Sequence, residues 1–490
     1  MDERIITQIV DEVTRRLQGG TPPPSAASTP TTSGASSAPA QSLAGVFQTV
    51  DEAVAAADEA FVAWGNAPMA AREAACNAIR ATAHQLKETI AARTVEETKL
   101  GRVDHKILKI AGAANDTPGI EDLVTRCWSG DFGLTIEEYA PYGVIAAVTP
   151  VTHPVPTLIN NAIGMLAGGN TVMFNPHPAS KRIFAWTLDR FNRAIEAATG
   201  FRNLLTTLAE PTIETTRQAF NHPRVRLILV TGGPGVVKEA LKTSKKSITA
   251  GPGNPPVVVD ETALLPQAAE HIITGASFDN NMLCIAEKEV FVVASVADGL
   301  MREMIRRGCV ELNAAQIDAL AARMFQCSGS HEGATGKSCG GATLNRELVG
   351  RSAAVLAASI GLTVPPETPL LIGETGFDNP WVQHEQMTCF LPFVRVADVD
   401  EGILLARRAE HGYRHTAIMH SMNVANMTRM GKALDCSIFV KNGPCLAGLG
   451  ISGEGPASYS IASPTGEGIT TARHFCRVRR CTMRDYLRVV

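Results

Sequence analysis

The chain has 490 residues, enough for two or three domains. A hydrophobic share of 45% and a charged share of 19% are those of an ordinary globular protein, and a net charge of −3 with no long basic run argues against a nucleic-acid partner. No apolar stretch reaches membrane-spanning length without Gly, Pro or charge, and the cysteines are scattered with no CxxC pair, which disfavours a disulfide framework or a metal site and fits a reducing compartment.

Residues 2–18 are predicted to form a helix, because Ile5, Ile6, Ile9, Val10, Val13 and Leu17 fall within one arc at 100° per residue. Gly19-Gly20 stops it, and the uncharged Pro, Ser, Thr and Ala run from Thr21 to Ser42 reads as a flexible linker. Asp2, Glu3, Asp11 and Glu12 are wrong for a transit peptide. A short helix needs a surface for its stripe. It can fold back on its own domain, or dock into a partner's groove; the long linker favours docking.

From Gly45 the pattern is helical through Trp64 and again over Ala70 to Lys109. Ile120 to Glu138, with a strand-like Leu134-Thr135-Ile136, suits an arm or hairpin. Gly143 to Pro150 reads as a buried parallel strand, ending in the loop Val151-Thr152-His153-Pro154. Strand Asn170 to Phe174 leads to Asn175-Pro176-His177-Pro178, and strand Val225 to Val230 leads to Thr231-Gly232-Gly233-Pro234-Gly235 at the start of a helix. Strands alternating with helices predict an α/β doubly wound sheet. Gly232 and Gly233 at a helix N-terminus let backbone approach a pyrophosphate, although a tight turn without a ligand has the same pattern.

Cys284 ends the segment Ser277-Phe278-Asp279-Asn280-Asn281-Met282-Leu283 and precedes the strand Glu289 to Ala294. Such a boundary holds a sulfur still beside backbone N–H groups, as a covalent nucleophile with an oxyanion to stabilise requires. A lone intracellular cysteine is otherwise a small core residue. His411, His415 and His420 do not have a persuasive metal spacing.

Thr149-Pro150-Val151-Thr152-His153-Pro154, Thr231-Gly232-Gly233, Ala250-Gly251-Pro252-Gly253-Asn254-Pro255-Pro256, Cys284 and Glu385-Gln386-Met387 through Pro392 occur in the order of the aldehyde dehydrogenase superfamily, which the chain resembles over 43–490. The resemblance implies an aldehyde dehydrogenase-like α/β fold: a Rossmann-type cofactor domain (43–122 and 142–251), an α/β catalytic domain (252–472) and a small oligomerisation arm (123–141 and 473–490), after a targeting helix (1–20) and a linker (21–42). It makes Cys284 the nucleophile and Thr152 a possible oxyanion partner. Thr149, Pro150, Asn175, His177, Thr231, Gly232, Gly233, Gly251 and Glu385 become the NAD site, with Glu385 on the nicotinamide ribose. Cys389 stands where that superfamily usually has proline, which leaves the loop path open.

Hydrolytic members carry a water-activating glutamate where this chain has Ala250. Without that base a thioester on Cys284 hydrolyses slowly, and a thiol such as coenzyme A is the fitting acceptor. The chain therefore resembles the CoA-acylating branch, and with its leading helix and linker the acylating dehydrogenases of bacterial microcompartments. That implies a bacterial cytoplasmic microcompartment enzyme, a short-chain aldehyde with propionaldehyde preferred over acetaldehyde, shell proteins bound through residues 2–18, and a homodimer or homotetramer. A hydrolytic aldehyde dehydrogenase, an acyl-phosphate reductase and a non-catalytic shell-binding scaffold are the alternatives.

Overall fold

The computed structural model describes residues 43–327 and 342–488. The expected helix at 2–18, the linker and the Gly/Ser-rich loop at 329–341 lie outside them. Two sheets carry the fold, and every pairing within them is parallel. The first has six strands in the order Val46–Phe47, Leu205–Leu208, Thr171–Pro176, Val144–Thr149, Val225–Thr231, Lys246–Ala250. From Val144–Thr149 the chain winds outward one way through Thr171–Pro176 and Leu205–Leu208, then the other way through Val225–Thr231 and Lys246–Ala250. The topological switch point therefore lies between Val144–Thr149 and Val225–Thr231.

The alternation of side chains explains why both faces are covered. In Val144–Thr149, Ile145 and Ala147 enter one apolar core while Val144, Ala146 and Val148 enter another. A strand buried on both faces must be apolar throughout. The second sheet has seven strands, Val310–Glu311, Leu371–Glu374, Phe390–Val396, Glu289–Val293, Pro256–Val259, Thr416–His420 and Ile438–Lys441. Val257, Val259, Val290 and Val292 join the same core as Ile145 and Ala147, so one apolar mass unites the two sheets.

The 30-residue helix Met69–Thr98, about 45 Å long, stops where Lys99 turns left-handed at φ 60°. Its Glu97 accepts the N–H groups of Arg182 and Ile183 at 2.9 and 2.7 Å, capping the helix Lys181–Thr199 across the fold. The expected arm is an antiparallel three-stranded sheet of Arg126–Gly130, Gly133–Pro141 and Cys476–Arg484. The helix Ala294–Arg306 stops short of Val310–Glu311, which forms an edge strand. Ser460 bonds Thr231 at 2.6 Å and Thr465 accepts the Thr249 N–H at 3.0 Å, so this late stretch packs on the first sheet. Among the described residues no helix is long and apolar enough to cross a membrane, and no group of His, Cys, Asp and Glu could hold a metal ion.

Candidate active site

Thr149 and Thr231 end the two strands that border the switch point, where a parallel sheet offers a ligand crevice. The Thr149 hydroxyl is buried and has no partner among the described residues. Thr231 is spent on Ser460, which in turn donates to Asn161 at 3.0 Å. A Cβ placed on Gly232, Gly233 or Gly235 would meet nothing within 4 Å, so the start of helix Pro234–Leu241 opens onto free space. Packing does not require glycine there; a ligand laid against the backbone would. These features fit a dinucleotide.

Asn175 lies beside Val148 at the end of the neighbouring strand. Its carboxamide donates to Thr212 O at 3.2 Å and Thr216 Oγ1 at 2.6 Å, and accepts from Thr215 at 3.1 Å, so the side chain ties strand to helix. His177 is exposed, and its Nδ1 accepts the Ala179 N–H within its own turn. Gly251 packs against Pro464, and Ala250 is buried at the strand end opposite Thr231. Thr152 is half-buried, with its hydroxyl 2.9 Å from His153 Nδ1.

Cys284 leaves an unusual turn. Asp279, Asn280 and Asn281 have φ of 52°, 56° and 63°, three successive left-handed residues. Asp and Asn tolerate this conformation better than other side chains, yet a run of three needs outside support. Each side chain supplies some. Asp279 accepts from Lys106 at 3.0 Å, Lys109 at 2.6 Å and the Arg102 N–H at 2.8 Å. Asn280 donates to Gly350 O at 2.9 Å, and Asn281 to Ala276 O and Glu287 O at 2.8 and 3.0 Å. Cys389 is buried with its sulfur 3.8 Å from Asn280 Oδ1, so at this departure from the superfamily pattern the loop packs on the nucleophile turn.

A profile of the aldehyde dehydrogenase family matches residues 36–311, more than half of the chain. The chain belongs to the aldehyde dehydrogenase family. It is 48% identical over 447 residues to the acetaldehyde dehydrogenase (acetylating) EutE of Salmonella typhimurium, covering 91% of this chain and 94% of that one. It is 45% identical over 440 residues to the propanal dehydrogenase (CoA-propanoylating) of Citrobacter freundii, covering 90% and 92%. Among solved structures, a propionaldehyde dehydrogenase from the Clostridium phytofermentans fucose utilisation bacterial microcompartment superposes with a TM-score of 0.87 at 42% identity, over 91% of this chain and 100% of that one. The Rhodopseudomonas palustris propionaldehyde dehydrogenase, with bound CoA and an acylated cysteine, gives 0.85 at 43% identity, over 90% and 98%.

In this aldehyde dehydrogenase the catalytic-sheet residues of the site come from the strand beginnings. Burial pushes the Cys284 thiol up to about 12, and the Glu385 carboxylate adds to the rise; Lys288, the Cys284 N–H and Lys109 oppose it. Burial also raises Glu385 to about 7, against the pull of Lys288 and the Gly253 N–H. The sequence placed Glu385 on a ribose; the fold also puts its charge within electrostatic reach of the sulfur.

Four residues of the site escaped the sequence reading. Gly253 is a spacer, since a Cβ there would sit 2.6 Å from the Cys284 carbonyl and 3.0 Å from the His415 ring. Burial, then Lys288, lower His415 to about 4, so its imidazole is neutral; Nδ1 meets Thr416 Oγ1 at 2.8 Å, and Nε2 has no protein partner. Lys109 and Lys288 are both fully buried. The signal for Lys109 was present, a lysine on the apolar face of Val103–Asp116 beside Ile110 and Ala113.

Proposed function

We propose that the protein oxidises a short-chain aldehyde to its acyl-CoA with NAD+ and coenzyme A, through a thioester on Cys284. One observation carries the reading. The nucleophile turn is intact, while buried Ala250 occupies the place of the water-activating carboxylate. Its support from relatives is direct: the matched enzymes are named as acetylating and CoA-propanoylating, and one solved relative holds CoA and an acylated cysteine.

The Cys284 thiolate attacks the carbonyl carbon, a C–S bond forms, and the π pair moves to oxygen. The Cys284 N–H stabilises that oxyanion, with Thr152 as its possible second donor. NAD+, when bound along Thr149, Pro150, Thr231, Gly232 and Gly233 with Glu385 on its ribose, supplies the hydride acceptor. Hydride loss from the tetrahedral carbon leaves the thioester. The CoA thiolate then attacks the thioester carbon, and Cys284 departs as thiolate, restored for the next turn.

We further read propionaldehyde as the preferred substrate, in keeping with the solved relatives. Acetaldehyde is the second reading, favoured by the 48% identity to EutE. Residues 2–18 are read as a peptide that docks on microcompartment shell proteins, in a bacterial cytoplasm. The arm, with Trp128, Phe132, Val478 and Tyr486 exposed, is read as a subunit contact that makes a homodimer or homotetramer.

The deciding experiment measures NADH formation and products with C2 to C4 aldehydes, with and without CoA. Sustained turnover that needs CoA and yields acyl-CoA is expected, with C3 the best substrate, and Cys284→Ala is expected to abolish it. CoA-independent release of free acid at the same rate would overturn the acylating reading.

A further inference from the structure

Two buried ammonium groups grip the two peptide carbonyls that immediately precede the nucleophile. Lys109 Nζ donates to Met282 O at 2.7 Å, and Lys288 Nζ donates to Leu283 O at 3.0 Å. Both side chains are 0% exposed. Lys109 has a counter-ion, Asp279, at 2.6 Å. Lys288 is held differently. Besides Leu283 O it binds the carboxamide oxygen of Asn281, and among the described residues it forms no ion pair. A buried cation held by neutral oxygens is costly, unless the site gains a negative charge as it works.

Leu283 O belongs to the peptide unit whose N–H is that of Cys284. The described peptides contain no cis bond, so the C=O and N–H of this unit point opposite ways. With the carbonyl drawn to Lys288, the Cys284 N–H turns to the other side, and it opposes the rise of its own thiol. One peptide earlier, Lys109 fixes Met282 O and hence the Leu283 N–H in the same manner.

We propose that Lys288, assisted by Lys109, is a positioning residue for the oxyanion donor: by holding the Leu283 carbonyl it keeps the Cys284 N–H aimed at the oxygen that turns negative as the C–S bond forms. This rests on Cys284 being the nucleophile. The charge of Lys288 acts in the same sense, because the groups that face the sulfur are Glu385, which resists a thiolate, and Lys288 and Lys109, which favour one. Glu385, Cys284, Cys445 and Glu287 all favour a charged Lys288, and Lys288 in turn acts on Glu289 and His415.

The test is Lys288→Met, which keeps the length of the side chain and removes its charge. Asn281→Gly is made beside it, since glycine keeps the left-handed backbone and removes the carboxamide, which anchors Lys288 and also ties Ala276 O and Glu287 O. NADH formation, NADH binding by fluorescence, and the pH dependence of Cys284 alkylation by iodoacetamide are measured in each. Lys288→Met is expected to lower kcat about 10²-fold with the aldehyde KM within about threefold, and to raise the alkylation midpoint by about one pH unit, with NADH binding retained. Asn281→Gly is expected to lower kcat about tenfold. Normal kcat in Lys288→Met overturns the inference, as does a loss of kcat with an unmoved alkylation midpoint. If Lys288→Met fails to bind NADH, Asn281→Gly decides, and normal kcat there overturns it. An active Cys284→Ala would instead sink the nucleophile assignment itself; an inactive one beside a fully active Lys288→Met sinks only this inference.

Discussion

The Asp279 carboxylate lies 2.6 Å from Lys109 Nζ, with both side chains fully buried, at the base of the turn that carries Cys284. Lys106 completes the cluster at 3.0 Å. Removing the one anion leaves two buried cations uncompensated. Asp279→Ala is therefore expected to destabilise the protein by about 3–5 kcal/mol, measured by urea unfolding, and to abolish turnover wherever the protein remains folded. Burial alone would raise Asp279, but Lys109 and Lys106 together outweigh it and hold the carboxyl below the ordinary range. A depressed acid contributes stability that is present above its unfolded pKa and lost as pH falls through the folded one. The wild type should lose stability on acidification below about pH 4 more steeply than Asp279→Ala.

Glu287 works with the opposite sign. It is buried, accepts the Cys445 N–H at 2.9 Å, and sits where a Cβ on Gly275 would be 2.2 Å from either carboxylate oxygen. Burial raises it to about 7, so the folded state keeps a proton that the unfolded chain gives up near pH 4.3. Its contribution is full below the unfolded value and lost as pH rises through about 7. Wild-type stability should fall between pH 5 and pH 8 on this account by on the order of 3 kcal/mol. Glu287→Gln should flatten that slope in urea titrations at successive pH values. Glu385 titrates in the same window, so part of the slope should remain.

Glu385→Gln should make the thiol more reactive and the enzyme less effective. With the neighbouring charge gone, the alkylation rate of Cys284 at neutral pH should rise about threefold to tenfold. The KM for NAD+ should rise as well, because the glutamine lacks one of two acceptor oxygens. Slower alkylation in the variant would show that this carboxylate assists thiol ionisation.

Ala250→Glu tests the missing base. The residue is 3% exposed at a strand end, so a carboxylate there is partly desolvated and costs some stability. In product analysis the ratio of free acid to acyl-CoA should rise several-fold, in line with the ~10² to 10⁴ that general-base catalysis supplies when well placed. An unchanged ratio would mean that the alanine is not what keeps water from the thioester.

Much of this site was legible in one dimension. Val144 to Val148 is apolar at every position, which only a strand covered on both faces tolerates, and Pro150 ends the strand after Thr149; Thr231-Gly232-Gly233 marks a strand passing into a helix. The cysteine before Glu289 to Val293, with Ala250 upstream, carried the chemistry. Less legible were contacts that join distant segments. Asn175 stood in a binding motif, but its carboxamide closes on Thr212, Thr215 and Thr216. His415 was weighed as a metal ligand and set aside, and only folding brings it to Gly253. Ser460 and Thr465 return to the first sheet, where the Ser460 hydroxyl pairs with that of Thr231 and the Thr465 hydroxyl accepts the Thr249 N–H.

By itself the sequence determined the α/β class and the glycine turn after Val225 to Val230, because these are written in local periodicity and turn chemistry; Cys284 as the proposed nucleophile and Ala250 in place of a base came from the resemblance to the family. Only the tertiary structure decided how the nucleophile is held. Burial beside Met282 O and Leu283 O makes Lys109 and Lys288 fixed donors to the two carbonyls that precede Cys284. Long-range packing selects which polar groups lose water, and local spacing carries no record of that.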